Sequence, residues 1–506
     1  MATQLLTEKY SDQMHGTLNC YDRILINGYL QPFCHAQGMT NYLYQHQIRI
    51  FDYAQWAAAL TDEIRANAEA LAQANGLEIE FIRKKNFRQE DRIHRILKTR
   101  GNAPGLVHIF SALEGCPTYQ PWHDKQTHKT YLKPATSKCL TYYFYLIDPD
   151  LGECFVRVPT WAPFGLTVYF NGHAWLAAQL KARGIECELR DNAFTRIADF
   201  ATANALADDL DIKHLHAKLD ALVQRYCPVA RSLQRAYQWS IRQAEYATDL
   251  VFKQPKNLAF YTTLLHLLVL CVKPENIAMF LGRKLHGNYQ DEVGSRFNRR
   301  WWGRRLKHTF GPVSIKLYDK FNRVLRIETT VNDVRFFSQY RQVCHRDGTR
   351  EMRQAPLQKT IYSLAPLREL LVAANRRYLA FISDIETPAV GEPLLSQLTQ
   401  TRTENQHTYK GFNFLADEDA AILRTLLRGE FTISGLTHRA VHQALPDKTS
   451  GQVSRLLKRL RVHGLIKKVG KRYKYYLTDL GRQAGATALK LREIVVIPML
   501  AQPVAA

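Results

Sequence analysis

The sequence predicts an α/β (α+β) chain of several domains: a mixed-sheet body with covering helices, a helical middle region, and a compact C-terminal unit of helices followed by a short hairpin. Three observations predict it. β-type runs and amphipathic helical stretches interleave up to about residue 200. Apolar residues at helical spacing dominate residues 206–283, and after Phe412 the order is helix, helix, helix, two short strands, helix. A chain of 506 residues is expected to form about three domains. The predicted boundaries are 1–200 for an α/β domain, 201–386 for a helical region with a basic segment and returning strands, 387–411 for a linker, and 412–492 for the last domain.

Residues 21–26 read as a strand. A helix follows from Asp52, a residue suited to an N-cap, to Asn75, with Gly76 as its stop. Trp56, Leu60, Ile64 and Leu71 recur along it near helical spacing and define its inner face. Residues 78–83 and 106–110 are short β-type runs, with a charged helix over 88–98 between them. Strands over 139–147 and 154–158 flank Asp148-Pro149-Asp150-Leu151-Gly152, whose residue types make a turn. A strand over 166–170 runs through Asn171-Gly172-His173 into a helix ending near 182. Within 206–283, Leu215, Leu219 and Leu222 form one stripe, and 264–272 reads as a helix buried all round. A basic segment over 283–308 precedes strands at 313–318 and 324–330 and a helix at 364–382. Residues 387–409, with Pro388, Gly391, Pro393 and a polar series, read as linker.

Lys plus Arg number 69 and Asp plus Glu 46, a net charge of +23, which favours a polyanionic partner. Hydrophobic residues at 46% and aromatics at 11% exclude bulk disorder. The longest apolar run, 264–272, contains His266 and falls well short of the roughly 20 residues that span a bilayer. Residues 1–10 lack a basic segment followed by an apolar one, so a soluble cytoplasmic chain is expected. The cysteines are scattered, with no CxxC or CxxxxC spacing, and read as small buried hydrophobes with no disulfide framework.

The C-terminal region carries the strongest signal. Helices are predicted over 417–427, over 437–444 with Ser434 as cap, and from Ser450 to Gly464. In the third, Val453, Leu456, Leu457 and Leu460 fall at i, i+3, i+4 and i+7 and face the core. The opposite face presents Gln452, Arg455 and Arg459, with Ser454 and Lys458 at its edge. A hairpin follows around Val469-Gly470-Lys471. This order resembles the winged helix-turn-helix domain of MarR-like regulators over about 75 residues. The resemblance implies a third helix in the DNA major groove and a hairpin wing along the phosphate backbone. Residues 448–482 hold eleven Lys or Arg against one acid, Asp479, which on its own favours a phosphate surface. The predicted nucleic-acid contacts here are Ser450, Gln452, Ser454, Arg455, Lys458, Arg459, Lys467, Lys468, Lys471 and Arg472.

A second basic element interleaves Arg296, Arg299, Arg300, Arg304 and Arg305 with Trp301 and Trp302. Rings and guanidinium planes in this pattern stack on unpaired bases. Two further stretches bear on chemistry. Asn171-Gly172-His173 opens a helix after a strand, and Tyr318-Asp319-Lys320 precedes a strand carrying Arg326 and Glu328. Together they resemble pieces of the rolling-circle replication initiators of filamentous phages and some plasmids, over roughly 30 residues in two parts. The resemblance implies Tyr318 as nucleophile on a DNA phosphodiester, Lys320 neutralising charge on phosphorus, and Glu328 as ligand of a divalent metal, Mg or Mn. Tyr318 and Lys320, two apart on a strand, project to one face. The His-hydrophobic-His pair with which such enzymes hold metal is matched only by His214-Leu215-His216, in a helical context where the two rings diverge. Asp148 and Asp150 read as turn residues. His108 and His173 stand alone, and His123, Asp124 and His128 lie in a polar segment. No other cofactor motif is present. Three functions stay open: a DNA-binding protein of replication, transposition or mobile-element regulation; a tyrosine nicking endonuclease; and an RNA-binding component of a ribonucleoprotein.

Overall fold

The computed structural model describes residues 4–84, 86–300, 303–345, 347–386, 391–469 and 474–501, and the chain divides into two units, Met1–Glu386 and Thr387–Ala506. The fold is α/β with a large mixed sheet, as the alternation of strands and helices predicts.

The first unit is built on strands β1 (Met14–Tyr29), β2 (Ile79–Phe81), β3 (Gly105–Asp124), β4 (Lys129–Asp148), β5 (Gly152–Pro159) and β6 (Leu166–Asn171). They are followed by β7 (Cys187–Arg190), β8 (Ala193–Ile197), β9 (Gln238–Phe252), β10 (Val293–Arg300), β11 (Gly303–Phe310), β12 (Val313–Lys320) and β13 (Val324–Val331). Eleven of them form one sheet in the order β10-β11-β12-β13-β9-β1-β6-β5-β4-β3-β2, while β7 and β8 pair separately as a hairpin. Every neighbour pair in the large sheet is antiparallel except β2–β3.

Strand β9 is the main departure from the sequence reading, which placed it in a helical region. It lies between β1 and β13, with Ala247 opposite both Cys20 and Glu328. The expected division at residue 200 therefore runs through one continuous sheet. The stripe of leucines on Ile212–Tyr226 is helical as expected; β9 was hidden because its register against β1 shifts three times, once with an extra residue, Arg242, in β9 itself. The 283–308 basic segment is the β10–β11 hairpin, with Arg296 opposite Lys307. Strands β3 and β4 extend far beyond the expected runs, pairing from Gly105–Ile147 out to Asp124–Lys129; prolines 117, 121 and 134 hid their outer halves. Cys116 and Cys139, read as free thiols, are disulfide-bonded across these strands.

One face of the sheet is closed by helices. Ile24, Ile26, Phe144, Val156 and Val168 pack with Ile64 of helix Tyr53–Ala74, Leu219 of Ile212–Tyr226 and Leu367 of Leu364–Glu386. Further along, Leu250, Ile315, Leu317 and Ile327 pack with Leu265 and Tyr378. The other face is covered only in parts. Leu18 and Cys20 lie under Leu176 and Leu180 of helix Gly172–Ala182, with Phe194 of β8 and Ala203 of the next helix. Phe110, Tyr145 and Ile147 lie under Ile93 of helix Gln89–Arg100. Beside the first of these covers the face carries a polar row on β1, β9, β12 and β13.

In the second unit, residues expected to be linker form a helix, Gly391–Thr399, and a hairpin of β16 and β17 (Arg402–Glu404 and His407–Tyr409) whose turn, Asn405 and Gln406, is left-handed at both positions; the two-stranded sheet β14 (Ser338–Cys344) and β15 (Arg350–Pro356) precedes it in the first unit. Leu398 is buried in this unit's core, so the segment is part of the fold. Helices Asp417–Leu426, Gly429–Ser434, His438–Ala444 and Ser450–Val462 follow, with strands β18 (Leu436–Thr437), β19 (Ile466–Lys468) and β20 (Lys474–Leu477) in the order β18-β20-β19, then helix Asp479–Lys490. Val453, Leu456, Leu457 and Leu460 are buried as their spacing predicts. Thr437, not Ser434, caps helix His438–Ala444, its hydroxyl accepting from the Ala440 amide. Thr449 caps helix Ser450–Val462 with Gln452 reciprocating in a capping box, and the helix opens at Ser450 as expected.

His308 on β11 is fully buried, hydrogen-bonded to Ser295 and to Tyr378 at 2.9 Å, and burial pushes its pKa down to about 4. The neutral ring is the form that folds, whereas the unfolded chain takes up the proton near pH 6.5. Stability is therefore full above about pH 6.5 and falls as pH drops from there toward 4, by at most about 3 kcal/mol from this group. Urea unfolding at pH 7 and pH 4.5 checks this: a His308→Gln variant should lose less stability between the two than the parent.

Candidate active site and nucleic-acid interface

The polar row on the open face begins with Arg326 of β13, which is 0% exposed. Its Nε donates to Asp249 Oδ1 of β9 and its Nη2 to Asp249 Oδ2, both at 2.6 Å, and its Nη1 donates to Asp22 Oδ2 of β1 at 3.0 Å. Its Nη2 also donates to the Asn192 carbonyl at 2.7 Å and lies 3.1 Å from His173 Nε2. Nε2 also lies 3.4 Å from Asp249 Oδ2. Nδ1 is 3.2 Å from Asp22 Oδ1, an electrostatic contact without hydrogen-bond alignment.

The Asn171-Gly172-His173 motif has a local reason. Asn171 caps the helix, accepting from the amides of His173 and Ala174, while its Nδ2 donates to Asp22 at 2.8 Å. A Cβ on Gly172 would lie 2.1 Å from the Tyr21 carbonyl, so only glycine lets the helix start pass this close to β1 and bring His173 in. The Asn192 amide adds two donations to Asp22 from the β7–β8 turn.

Beside this cluster, β12 and β13 place Lys316 opposite Glu328 and Tyr318 opposite Arg326. The Tyr318 hydroxyl donates to Glu328 Oε2. Lys316 bridges Glu328 at 2.5 Å and Glu245 of β9 at 3.0 Å. Lys320 donates to Asn192 and lies 3.3 Å from Asp191. Asp22, Glu245 and Glu328 each offer an oxygen, and these atoms all lie within 4.8 Å of one another. The group opens into a cavity of about 340 Å³ rimmed by Arg23, Arg304 and Arg305.

The charges are strongly coupled. Burial alone would raise the Asp22 carboxyl, but Arg326 and His173 outweigh it and hold it well below the usual range; the same partners hold Asp249 at about 2. Burial, then the Glu328 charge, pushes Glu245 up. Burial and Glu328 also push the Tyr318 phenol well above its ordinary value, so it is protonated at neutral pH. Burial, then Arg326, lowers Lys320. Burial works against the Lys316 ammonium, but Glu328 and Glu245 more than compensate and raise it.

The structure thus brings together Tyr318, Lys320 and Glu328, and adds Asp22, Glu245, Lys316, Arg326 and His173. Asp22 was visible as an acid inside an apolar strand run; Glu245 was hidden with β9. The other histidines and acids stay apart. His108 bonds Glu80 at 2.9 Å, and His214 faces Asp150 while His216 bonds Tyr362. Asp124 and Asp148 accept from turn amides, and Lys218 joins Asp148 and Asp150. Arg296 and Arg304 are exposed on the β10–β11 hairpin and Arg305 is half-buried; Trp301 and Trp302 lie outside the described residues, as do the side chains of Arg299 and Arg300.

In the second unit the expected face is partly neutralised. Arg459 is a correction: it turns inward and donates to both oxygens of buried Asp419 at 2.9 and 3.0 Å, and to the carbonyls of Lys410 and Gly411. Its place at the edge of the apolar stripe, beside Leu456 and Leu460, puts it within reach of Asp419, and its guanidinium lies 3.9 Å over the Phe412 ring. Lys458 and Arg461 pair with Glu404 of the β16–β17 hairpin, and Gln452 spends its carbonyl oxygen on the capping box. Ser450, Ser454, Arg455, Lys467 and Lys468 are exposed. Arg455 and Lys467 have no carboxylate partner among the described residues. Lys471 and Arg472 lie outside the described residues.

Comparison with known proteins finds no matching family model, no matching curated protein and no matching solved structure.

Removing one partner of a buried pair leaves the other charged and unpaired. Arg459→Ala should therefore destabilise the second unit by about 3–5 kcal/mol, seen as a lower melting transition. Arg455→Ala, on an exposed site, should leave that transition in place.

Proposed function

We propose that the chain binds DNA and that its first unit transfers a DNA strand to Tyr318, as rolling-circle initiators of phages and plasmids do, in the replication or transposition of a mobile element. The observation that carries this reading is the Tyr318 hydroxyl donating to Glu328 at the floor of an arginine-rimmed cavity, next to two further carboxylates. A phenol with a raised pKa needs a base, and Glu328 is in place to accept its proton. The Tyr318 oxygen then forms its bond to phosphorus as the bond to the 3′ oxygen breaks. The 5′ phosphate is left on the tyrosine, and the 3′ oxygen takes a proton from water. Arg304, Arg305 and Lys320 supply positive charge toward the phosphate.

The oxygen donor set of Asp22, Glu245 and Glu328 fits a hard divalent cation, and Lys316 now provides the positive charge between two of them. Held there, Mg²⁺ or Mn²⁺ would polarise the phosphate. We read the second unit as a winged helix-turn-helix that holds duplex DNA through helix Ser450–Val462 and strands β19 and β20.

Incubation of the full chain with single-stranded DNA and Mn²⁺ should leave a covalent protein–DNA adduct, resolved on a denaturing gel. Tyr318→Phe should abolish it, and Glu328→Gln should slow it by roughly 10²–10⁴-fold. An adduct that persists in Tyr318→Phe sinks the assignment. For the second unit, replacing Arg455 and Lys467 together by Ala should reduce the salt slope of duplex binding by about 2. An unchanged slope removes that face from the interface.

A further inference from the structure

The open face of the sheet does not end at the Tyr318 cavity. Arg23 of β1 lines both that cavity and a second, larger groove of about 680 Å³ on the far side of it. Two rings from adjacent strands line it, Tyr143 of β4 and Phe155 of β5, and Tyr169 of β6 stands opposite Phe155. Phe155 and Tyr169 stack with centroids 5.0 Å apart, and Tyr143 and Phe155 lie 5.9 Å apart. All three are only partly buried, although the helices flanking this face bury their own patches of it fully. Three arginines border the rings. Arg157 is neutralised by Glu114 at 2.5 Å, and Glu114 also accepts from the Tyr143 hydroxyl. Arg23, 5.4 Å over the Tyr169 ring, and exposed Arg242 have no carboxylate partner among the described residues.

We propose that this groove is a binding channel for single-stranded DNA leading away from the Tyr318 cavity. The inference rests on reading that cavity as a DNA site and adds a second subsite to it. A half-buried row of rings with cations at its margins suits unpaired bases. The ring faces accept any base, and the arginines hold the intervening phosphates. A duplex keeps its bases stacked on one another and presents only phosphate to such a floor, so the channel selects the single strand. Arg23 joins the two cavities, so one strand can occupy both.

The test is fluorescence anisotropy of a labelled oligothymidylate on the full chain carrying Tyr318→Phe, which removes turnover. Phe155→Ala is compared with Arg242→Ala, the latter an exposed side chain. Phe155→Ala should weaken binding roughly ten-fold, and Arg242→Ala should lower the salt slope by about 0.7. A duplex of the same length, held by the second unit, is the control and should be less affected. Unchanged oligothymidylate affinity in both variants overturns the channel, as does an equal loss on duplex or tighter binding of the matching oligouridylate. None of these outcomes bears on Tyr318, which is judged by the adduct; a missing adduct with the channel effects intact would sink the nicking chemistry alone.

Discussion

The buried Arg326 guanidinium is the constraint on which the first unit's site depends. It sits on β13, its two acid partners on β9 and β1, its histidine at the start of a helix and its carbonyl acceptor in the β7–β8 turn. Five separate segments converge on one planar fork of donors. Such a group adds little net stability, because desolvating an arginine and two carboxylates offsets most of their attraction. What it provides is position. An alternative register of β13 against β9 would leave a bare charge in the interior, at a cost of several kcal/mol, so the pairing of Arg326 with Asp249 holds the register that places Glu328 two residues further along.

From that register the reactive face follows by strand alternation alone. Lys316, Tyr318 and Lys320 on β12 meet Glu328, Arg326 and Val324 on β13, while Ile315, Leu317, Leu325 and Ile327 point into the opposite core. The apolar half of the pattern secures the strands, and the polar half is thereby delivered to one side as a group. A two-residue period needs no knowledge of distant elements, so the shared face of Tyr318 and Lys320 was legible in the sequence, while Glu328 was named only through the resemblance to rolling-circle initiators.

What was not legible had long-range causes. Helix Tyr53–Ala74 and the third helix of the second unit could be read from their own periodicity and caps. Strand β9 could not, since an extra residue at Arg242 disrupts the period and its partners lie more than 200 residues before it and some 80 after it. With β9 went Glu245 and Asp249, half of the acids in the site. Arg459 failed for a different reason. Helical spacing puts it near the boundary of the apolar stripe, and only Asp419, forty residues away, decides that it turns inward. Pro393, which suggested a linker, falls instead in the first turn of helix Gly391–Thr399, a distinction that composition does not carry.

Lys316 explains how three acids can share one side of a sheet. Two carboxylates brought within a few ångström repel, and one of them must be neutralised by a proton or a cation. Here the ammonium between Glu245 and Glu328 does this, and the raised pKa of Glu245 marks the repulsion that is left. The same arrangement bears on any divalent ion at this place, which must compete with a tethered amine already seated between two of its ligands. Lys316 stands two residues from Tyr318 on the same face and lines the same cavity as Arg304 and Arg305. Under the proposed nicking reading, positive charge freed from the carboxylates would then be added in the cavity that the proposed phosphate occupies.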